Sequence, residues 1–328
     1  MKVVDMRCDT ISGLLHREKK GEQVNLQENH MMIDLTKMRQ GDYLLQTFAA
    51  FVNYGRCENA LESALEQIDL FYRLMAANQE WIRPVGSYAD IVKNQQDGVM
   101  SALLSVEEGG ACKGNPAFLR MLYRLGVRMM TLTWNYENEL AFPNESRPNH
   151  PHGMIPDTEH GLKAVGFDII EEMERLGMIV DVSHLSDAGF WDVYHHTKRP
   201  FIASHSNARR MSTHCRNLTD DMIKALAERG GVTGINYCNS FLAADGRGRG
   251  AASTEEMSAH IRYLMNLGGE DLVGLGSDFD GIDTAPQMQN CAGMQQLADQ
   301  LAHDGFTTGQ IEKVFYKNVL RVFEEILK

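Results

Sequence analysis

The chain has 328 residues, of which 43% are hydrophobic, and a formal net charge of −12. Such an acidic chain is not expected to bind nucleic acid or an anionic membrane, and no apolar run reaches the length that a membrane-spanning helix needs. The first residues lack the apolar stretch of a secretory signal and the six cysteines form no CxxC pair, which predicts a cytoplasmic protein with reduced thiols.

Short apolar runs alternate with segments of helical periodicity from one end of the chain to the other. Eight of these runs are predicted strands: 2–6, 44–53, 100–106, 127–133, the two runs that end at His184 and His205, 232–237 and 272–276. Ser186 and Thr219 are predicted to cap helices, and Gly177 is predicted to end one. The sequence has no linker rich in Pro, Gly or Ser. The pattern predicts one domain over residues 1–328, an α/β fold of the (β/α)8 TIM-barrel type, although a doubly wound α/β sheet alternates in the same way.

Polar side chains that can bind a metal follow five of the predicted strands. They are Asp9, Glu108, His184, His205 and Asp278. Two of them, His184 and His205, close consecutive strands joined by one helix, so both are expected at the carboxyl-end face where α/β folds bind ligands. Neutral imidazoles and carboxylates form a ligand set suited to zinc, and one carboxylate can bridge two ions. Each residue also has a structural explanation, since Asp9 can cap a helix and Glu108 or Asp278 can belong to a turn.

Several short motifs follow one another along the whole chain. They are Asp-x-x-x-Asp-Thr at 5–10, Val-Glu-Glu-Gly-Gly at 106–110, Leu-Thr-Trp-Asn at 132–135, Asp-Val-Ser-His-Leu-Ser at 181–186, Ser-His-Ser-Asn-Ala at 204–208, Arg-Asn at 216–217, Gly-x-Asp-Phe-Asp-Gly at 276–281 and Lys-Asn-Val-Leu-Arg-Val-Phe at 317–323. Together they resemble the membrane (renal) dipeptidase family of zinc hydrolases. The resemblance implies a barrel with a binuclear zinc site, a dipeptide substrate and a possible homodimer.

The resemblance also implies a role for individual residues. Asp9 matches a ligand of the first zinc, Glu108 the bridging carboxylate, His184 and His205 the ligands of the second zinc, Asp278 the acid that handles protons, and Arg216 the arginine that binds the free carboxylate of the substrate. The implied reaction is attack of a metal-activated hydroxide on the peptide carbonyl, while Asp278 passes a proton to the leaving amine.

The chain departs from the family pattern at its first strand, where Arg7 replaces the histidine of a His-x-Asp pair. A guanidinium cannot bind zinc. We hypothesise that Arg7 pairs with Asp9 and Glu108 and supplies the charge of the first metal, which leaves a single zinc at the second site. The alternative is that Arg7 points to solvent and a weakened binuclear site persists.

A second departure is Trp134, at the position of a histidine that touches the substrate in the family. Asn135, Tyr136 or His152 could take over that contact. Phe241 stands where a tyrosine that faces the substrate is expected. The resemblance, together with the composition, therefore implies a cytoplasmic metallo-dipeptidase for small dipeptides with a free carboxylate, including those with a D-residue at the C-terminal side. Two alternatives stay open: a catalytically impaired homologue that binds peptide or metal, and a hydrolase of another small amide or lactam.

Overall fold

The computed structural model describes residues 1–150, 152–244, 253–282 and 288–328 of the chain. The strands are β1 (Val3–Cys8), β2 (Tyr43–Phe51), β3 (Ile82–Val85), β4 (Met100–Glu107), β5 (Val127–Thr131), β6 (Glu145–Ser146), β7 (Met154–Ile155), β8 (Ile179–Asp181), β9 (Ile202–Ala203), β10 (Val232–Ile235) and β11 (Val273–Leu275). The helices are α1 (Thr10–Lys19), α2 (Leu35–Gln40), α3 (Ala60–Ala77), α4 (Tyr88–Gln96), α5 (Pro116–Arg124), α6 (Ala164–Leu176), α7 (Asp187–His196), α8 (Asp220–Glu228), α9 (Asn239–Leu242), α10 (Thr254–Gly268), α11 (Met294–His303), α12 (Thr308–Glu312) and α13 (Asn318–Ile326). Short 3₁₀ turns at Gly109–Cys112 and Cys291–Gly293 and a π-helical turn at Lys313–Lys317 complete the described elements.

Among the described residues, eight parallel strands close into a barrel. Their order around the barrel is β2, β1, β11, β10, β9, β8, β5 and β4, and β4 pairs again with β2. The predicted (β/α)8 barrel is therefore confirmed, and the doubly wound alternative is wrong because an open sheet has no such closing pair. Each of the eight predicted strands coincides with one strand of the barrel. A single domain over residues 1–328 stays a prediction.

The barrel strands are buried along nearly their whole length because helices cover them outside and side chains fill the barrel inside. The inner core contains residues from most barrel strands, including Leu45, Leu103 and Ile179, together with the apolar face of α13. The close approach of α13 requires a glycine on β11, since a Cβ on Gly274 would lie 2.6 Å from a methyl group of Val319. The carboxyl ends of the strands, at the mouth of the barrel away from α13, carry the polar side chains.

Local signals set the helix boundaries as expected. The side chains of Ser186 and Thr219 accept hydrogen bonds from backbone amides in the first turns of α7 and α8, and Gly177 ends α6 in the left-handed conformation. The described helices include none that is both long and apolar enough to cross a membrane. All six cysteines lie in the described ranges and are free thiols.

Candidate metal centre and active site

Three buried side chains from three strand ends meet at the mouth of the barrel. Glu107 ends β4, and His184 and His205 follow β8 and β9. The Nε2 atoms of the two imidazoles lie 3.0 Å apart, and Oε1 of Glu107 lies 3.2 Å from the first and 3.5 Å from the second. In a tetrahedral zinc site with bonds of about 2.0–2.1 Å, neighbouring ligand atoms are roughly 3.3 Å apart. The three atoms thus have the spacing of one face of such a site.

The hydrogen bonds behind the two imidazoles determine where their protons lie. The hydroxyl of Ser204 donates to Asp181 at 2.6 Å, so its oxygen accepts the proton of His205 Nδ1, 2.7 Å away. In the same way, Nδ1 of His184 donates to Oδ1 of Asn135 at 2.9 Å. Both Nε2 atoms therefore carry lone pairs, which is the tautomer that metal-binding histidines adopt.

Without a cation, these lone pairs would face one another at a site where His205 is completely buried and His184 is only 8% exposed. Burial lowers the pKa of His184 and His205 well below the ordinary value, and the positive charges of Arg216 and Arg7 lower it further, so neither ring is protonated at neutral pH. Oε1 of Glu107 has no hydrogen-bond donor among the described residues. This donor set fits a divalent metal ion.

Arg7 lies beside this group and not in solvent, since only 2% of its surface is exposed. Its Nη2 forms ion pairs with Oδ1 of Asp9 at 2.6 Å and with Oε2 of Glu107, and its Nε lies 3.5 Å from Oδ1 of Asp278. The alternative of a solvent-exposed Arg7 is therefore wrong. The expected pairing with Asp9 is present, but the second partner is Glu107.

Glu108, which the family resemblance predicts as the bridging carboxylate, does not face the imidazoles; the carboxylate that does is that of Glu107. Glu108 follows the strand with a backbone φ of 110°, and its side chain points back into the loop. Its carboxylate accepts hydrogen bonds from the backbone amides of Gly110 at 2.8 Å and Trp134 at 3.0 Å, and from the side chain of Asn138. Burial raises the pKa of Glu108 to about 7 in spite of these donors. Its place is under the loop and not between the imidazoles.

Asp278 and Arg216 complete the polar mouth on the side of His205. Oδ2 of Asp278 accepts a hydrogen bond from the side chain of Asn236 at 3.0 Å, and burial raises the pKa of Asp278. The guanidinium of Arg216 is buried over the ring of Phe241, and its Nη2 lies 3.5 Å from the carbonyl oxygen of His205. Nε of Arg216 has no acceptor among the described residues. A carboxylate of a ligand could satisfy it.

The predicted substrate contacts on the loop after β5 have different surroundings. Asn135 holds the ring of His184, as described above, whereas Tyr136 is 40% exposed and packs beside Trp134, with ring centroids 5.8 Å apart. His152 packs against His214 with ring centroids 5.3 Å apart. Contact of Asn135, Tyr136 or His152 with a substrate stays a prediction.

Asp181 organises the site, although the sequence pattern predicts no role for it. Its carboxylate accepts hydrogen bonds from the backbone amides of Ser183 at 3.0 Å and Ser204 at 2.8 Å, and from the hydroxyls of Ser204 and Thr131, both at 2.6 Å. One buried acid thus fixes the ends of three neighbouring strands. The signal in the sequence was an acid inside an apolar run two residues before a Ser-His pair.

Comparison with known proteins agrees with this geometry. The family model described as membrane dipeptidase, peptidase family M19, matches residues 1–328. An uncharacterized dipeptidase of Schizosaccharomyces pombe is 35% identical over 308 residues, which cover 89% of this chain and 71% of the relative.

Two crystal structures of metallopeptidases superpose on almost the whole chain. One, described as dipeptidase AC, has a TM-score of 0.91 and 27% identity, and the match covers 100% of this chain and 99% of the other. The second, a metallopeptidase from Rhodobacter sphaeroides liganded with a phosphinate mimic of the dipeptide L-Ala-D-Ala, has a TM-score of 0.91 and 25% identity over 99% of each chain.

Proposed function

The chain belongs to the membrane dipeptidase family of metallopeptidases, which hydrolyse peptide bonds, and we propose that it is a zinc-dependent dipeptidase with one zinc ion per chain. Glu107, His184 and His205 would hold the ion. The observation that carries this proposal is the convergence of two imidazole lone pairs and an unpartnered carboxylate oxygen within 3.5 Å of one another. Three protein ligands with an open fourth position are typical of catalytic zinc.

The ion pairs of Arg7 support one metal in place of two. Glu107 directs Oε1 to the imidazoles and Oε2 to the guanidinium, so the same carboxylate bridges a candidate metal position and a fixed positive charge. Asp9, the predicted ligand of the first zinc, is held by the same guanidinium. A second ion would have to displace a buried Arg7 from its carboxylate partners.

The remaining residues have distinct tasks in this proposal. A bound zinc would polarise the peptide carbonyl and supply an activated water. The fork of Arg216 binds the free carboxylate of the dipeptide, which gives its buried Nε an acceptor. Asp278, held by Asn236, carries a proton to the leaving amine. Asn135 keeps His184 in its metal-binding tautomer.

We further propose that the substrates are small dipeptides with a free carboxylate, including those with a D-residue at the C-terminal side. The Rhodobacter sphaeroides relative, which is liganded with a mimic of L-Ala-D-Ala, supports this choice. Six free thiols support a cytoplasmic location. A homodimer stays part of the proposal, and light scattering of the purified protein tests it.

Metal analysis of the purified protein tests the site, and the two adjacent glutamates provide a matched pair of variants. We expect one zinc per chain in the native protein, almost none in Glu107→Gln, and one in Glu108→Gln, whose side chain lies under the loop. We expect Arg7→His to bind a second ion. Two tightly bound ions in the native protein would refute the single-metal proposal. Loss of metal in Glu108→Gln, with metal retained in Glu107→Gln, would show that Glu108 and not Glu107 is the ligand.

Turnover of a dipeptide panel, with and without added zinc or manganese, tests the activity. We expect metal-dependent release of both amino acids. Binding without turnover of any dipeptide would favour a catalytically impaired homologue, for which the presence of Arg7 is the specific reason. Turnover of acylated amino acids or lactams alone would favour a hydrolase of another small amide.

A further inference from the structure

Three aromatic side chains form a continuous surface at the mouth of the barrel. The rings of Phe51, at the end of β2, and Trp134, after β5, meet edge to face with centroids 5.0 Å apart. The ring of Tyr136 continues from Trp134 and lies against the backbone of Gly55, where a Cβ would come within 2.4 Å of it. We call Phe51, Trp134 and Tyr136 the aromatic wall.

The aromatic wall stands directly beside the candidate metal centre. The ring centroid of Trp134 lies 6.2 Å from that of His184, and the next residue, Asn135, accepts the hydrogen bond from that imidazole. The backbone of Trp134 is fixed by the buried carboxylate of Glu108. The position of the wall relative to the metal ligands is thus set by hydrogen bonds on both sides of the indole.

One member of the aromatic wall, Tyr136, is exposed, while Phe51 and Trp134 are half-buried. Among the described residues, the other exposed large apolar side chains lie on the outer helices α3, α4 and α5. Tyr136, in contrast, lies on the loop at the mouth of the barrel and is 40% exposed. Apolar area beside a polar site is typical of a surface that a ligand covers.

The order of the strands fixes which end of a dipeptide would meet the wall. Trp134 follows β5 and lies beside His184, which follows β8. Arg216 and His205 both follow β9, and the guanidinium contacts the backbone of His205, so the wall is on the His184 side of the two imidazoles and the guanidinium on the His205 side. If Arg216 binds the terminal carboxylate and the scissile carbonyl lies at the metal, as the proposed function requires, the N-terminal residue extends toward Trp134.

We propose that the aromatic wall makes the enzyme selective for dipeptides whose N-terminal residue has an aromatic or large apolar side chain. This inference rests on the proposed function. A phenyl ring on that residue would meet the face of Trp134 and the exposed ring of Tyr136, whereas a methyl group would leave both in water. Aromatic pairing and apolar burial together give a preference of about tenfold or more in kcat/KM.

Kinetics on three matched dipeptides test the inference. For the zinc-loaded native protein we expect kcat/KM for Phe-Ala to exceed that for Ala-Ala by about tenfold or more. We expect Trp134→Ala to remove most of this ratio and Trp134→Phe, which keeps an aromatic ring, to retain most of it. The ratio of Ala-Phe to Ala-Ala is expected to be the same in all three proteins. Tyr136→Leu, at an exposed position, gives a second variant whose folding is not at risk.

The outcomes separate this inference from the proposed function. Turnover of Ala-Ala and Phe-Ala with equal kcat/KM would overturn the selectivity and leave the dipeptidase intact. Binding of the same dipeptides by calorimetry tests the preference independently of turnover, so equal affinities for Phe-Ala and Ala-Ala would overturn it even in a protein that hydrolyses neither. An unchanged ratio in both Trp134→Ala and Tyr136→Leu would also refute the role of the wall.

Discussion

Replacing Arg7 with methionine removes one positive charge and leaves a buried group of acids. The side chain is almost completely enclosed, lies 2.6 Å from Asp9 and in close contact with Glu107, and approaches Asp278 to 3.5 Å. Methionine fills much of the same volume without a charge. The variant therefore isolates the electrostatic contribution of the guanidinium.

The expected cost follows from burial. Removing one partner of a buried ion pair costs about 3–5 kcal/mol, because the other charge is left without compensation. Arg7 compensates two direct partners and lies near a third carboxylate, so we expect the upper part of that range. Against a total stability of about 5–15 kcal/mol, a loss of this size brings the fold close to unfolding.

Urea unfolding in the presence of a chelator measures this cost, since bound metal would otherwise add to the stability. The matched control is Arg73→Met. Arg73 also pairs with two carboxylates, Glu18 and Asp69, each at 2.8 Å, but half of its side chain is exposed. We expect the control to lose at most about 1 kcal/mol. A cost for Arg7→Met no larger than that of the control would refute the view that the guanidinium balances the buried acids.

Three further substitutions test Arg216, Asp278 and Asp5. Arg216→Lys is expected to raise KM about 10- to 100-fold for dipeptides but not for dipeptide amides, because lysine lacks the carboxylate-binding fork; an equal rise for both would argue against the clamp. Asp278→Asn is expected to lower kcat about 10²- to 10⁴-fold with little change in KM, and a kcat near that of the native enzyme would exclude a proton-transfer role. Burial raises the pKa of Asp5 from 3.8 to about 6. Between these two pH values the folded chain keeps a proton on Asp5 that the unfolded chain has lost. The free energy of unfolding therefore falls by up to about 3 kcal/mol as the pH rises from about 4 to about 6. Asp5→Asn should remove that fall in urea unfolding at several pH values, and an unchanged pH profile would exclude Asp5 as its source.

The sequence predicts the barrel well because its strands are apolar runs separated by strongly periodic helices. The described strands outside the barrel are missed for physical reasons. β3 pairs only with β4 at the outer edge of the barrel, and Arg83 and Pro84 interrupt its apolar pattern. The strands β6 and β7 form a hairpin inside the long loop after β5. With two residues each, they are too short to show an alternating pattern in the sequence.

The choice between Glu107 and Glu108 could not be made from the sequence pattern. In a half-exposed strand, alternation of polar and apolar residues shows which side chains share a face. β4 is buried on both faces, so its apolar residues give no such alternation. In the structure, Glu107 lies four residues after Leu103, which belongs to the inner core, and therefore shares its face. The positive φ of Glu108, which directs its carboxylate into the loop, also has no signal in the sequence because glutamate rarely adopts it.

The serines that directly precede His205 and Asp278 are a further signal of the site that the sequence does provide. Ser204 precedes His205 and is held by Asp181, and Ser277 precedes Asp278 and is held in the same way by Asp5 through its amide at 2.9 Å and its hydroxyl at 2.5 Å. In both cases a buried carboxylate reaches across to a neighbouring strand end and fixes the residue before the functional one. Burying such an acid costs folding free energy unless each of its lone pairs accepts a hydrogen bond. A buried acid is therefore expected where the exact position of a functional residue matters more than the stability of the fold. An aspartate inside an apolar strand, paired with a serine that precedes a histidine or an acid elsewhere in the chain, is therefore evidence for a catalytic strand end that apolar periodicity alone does not provide.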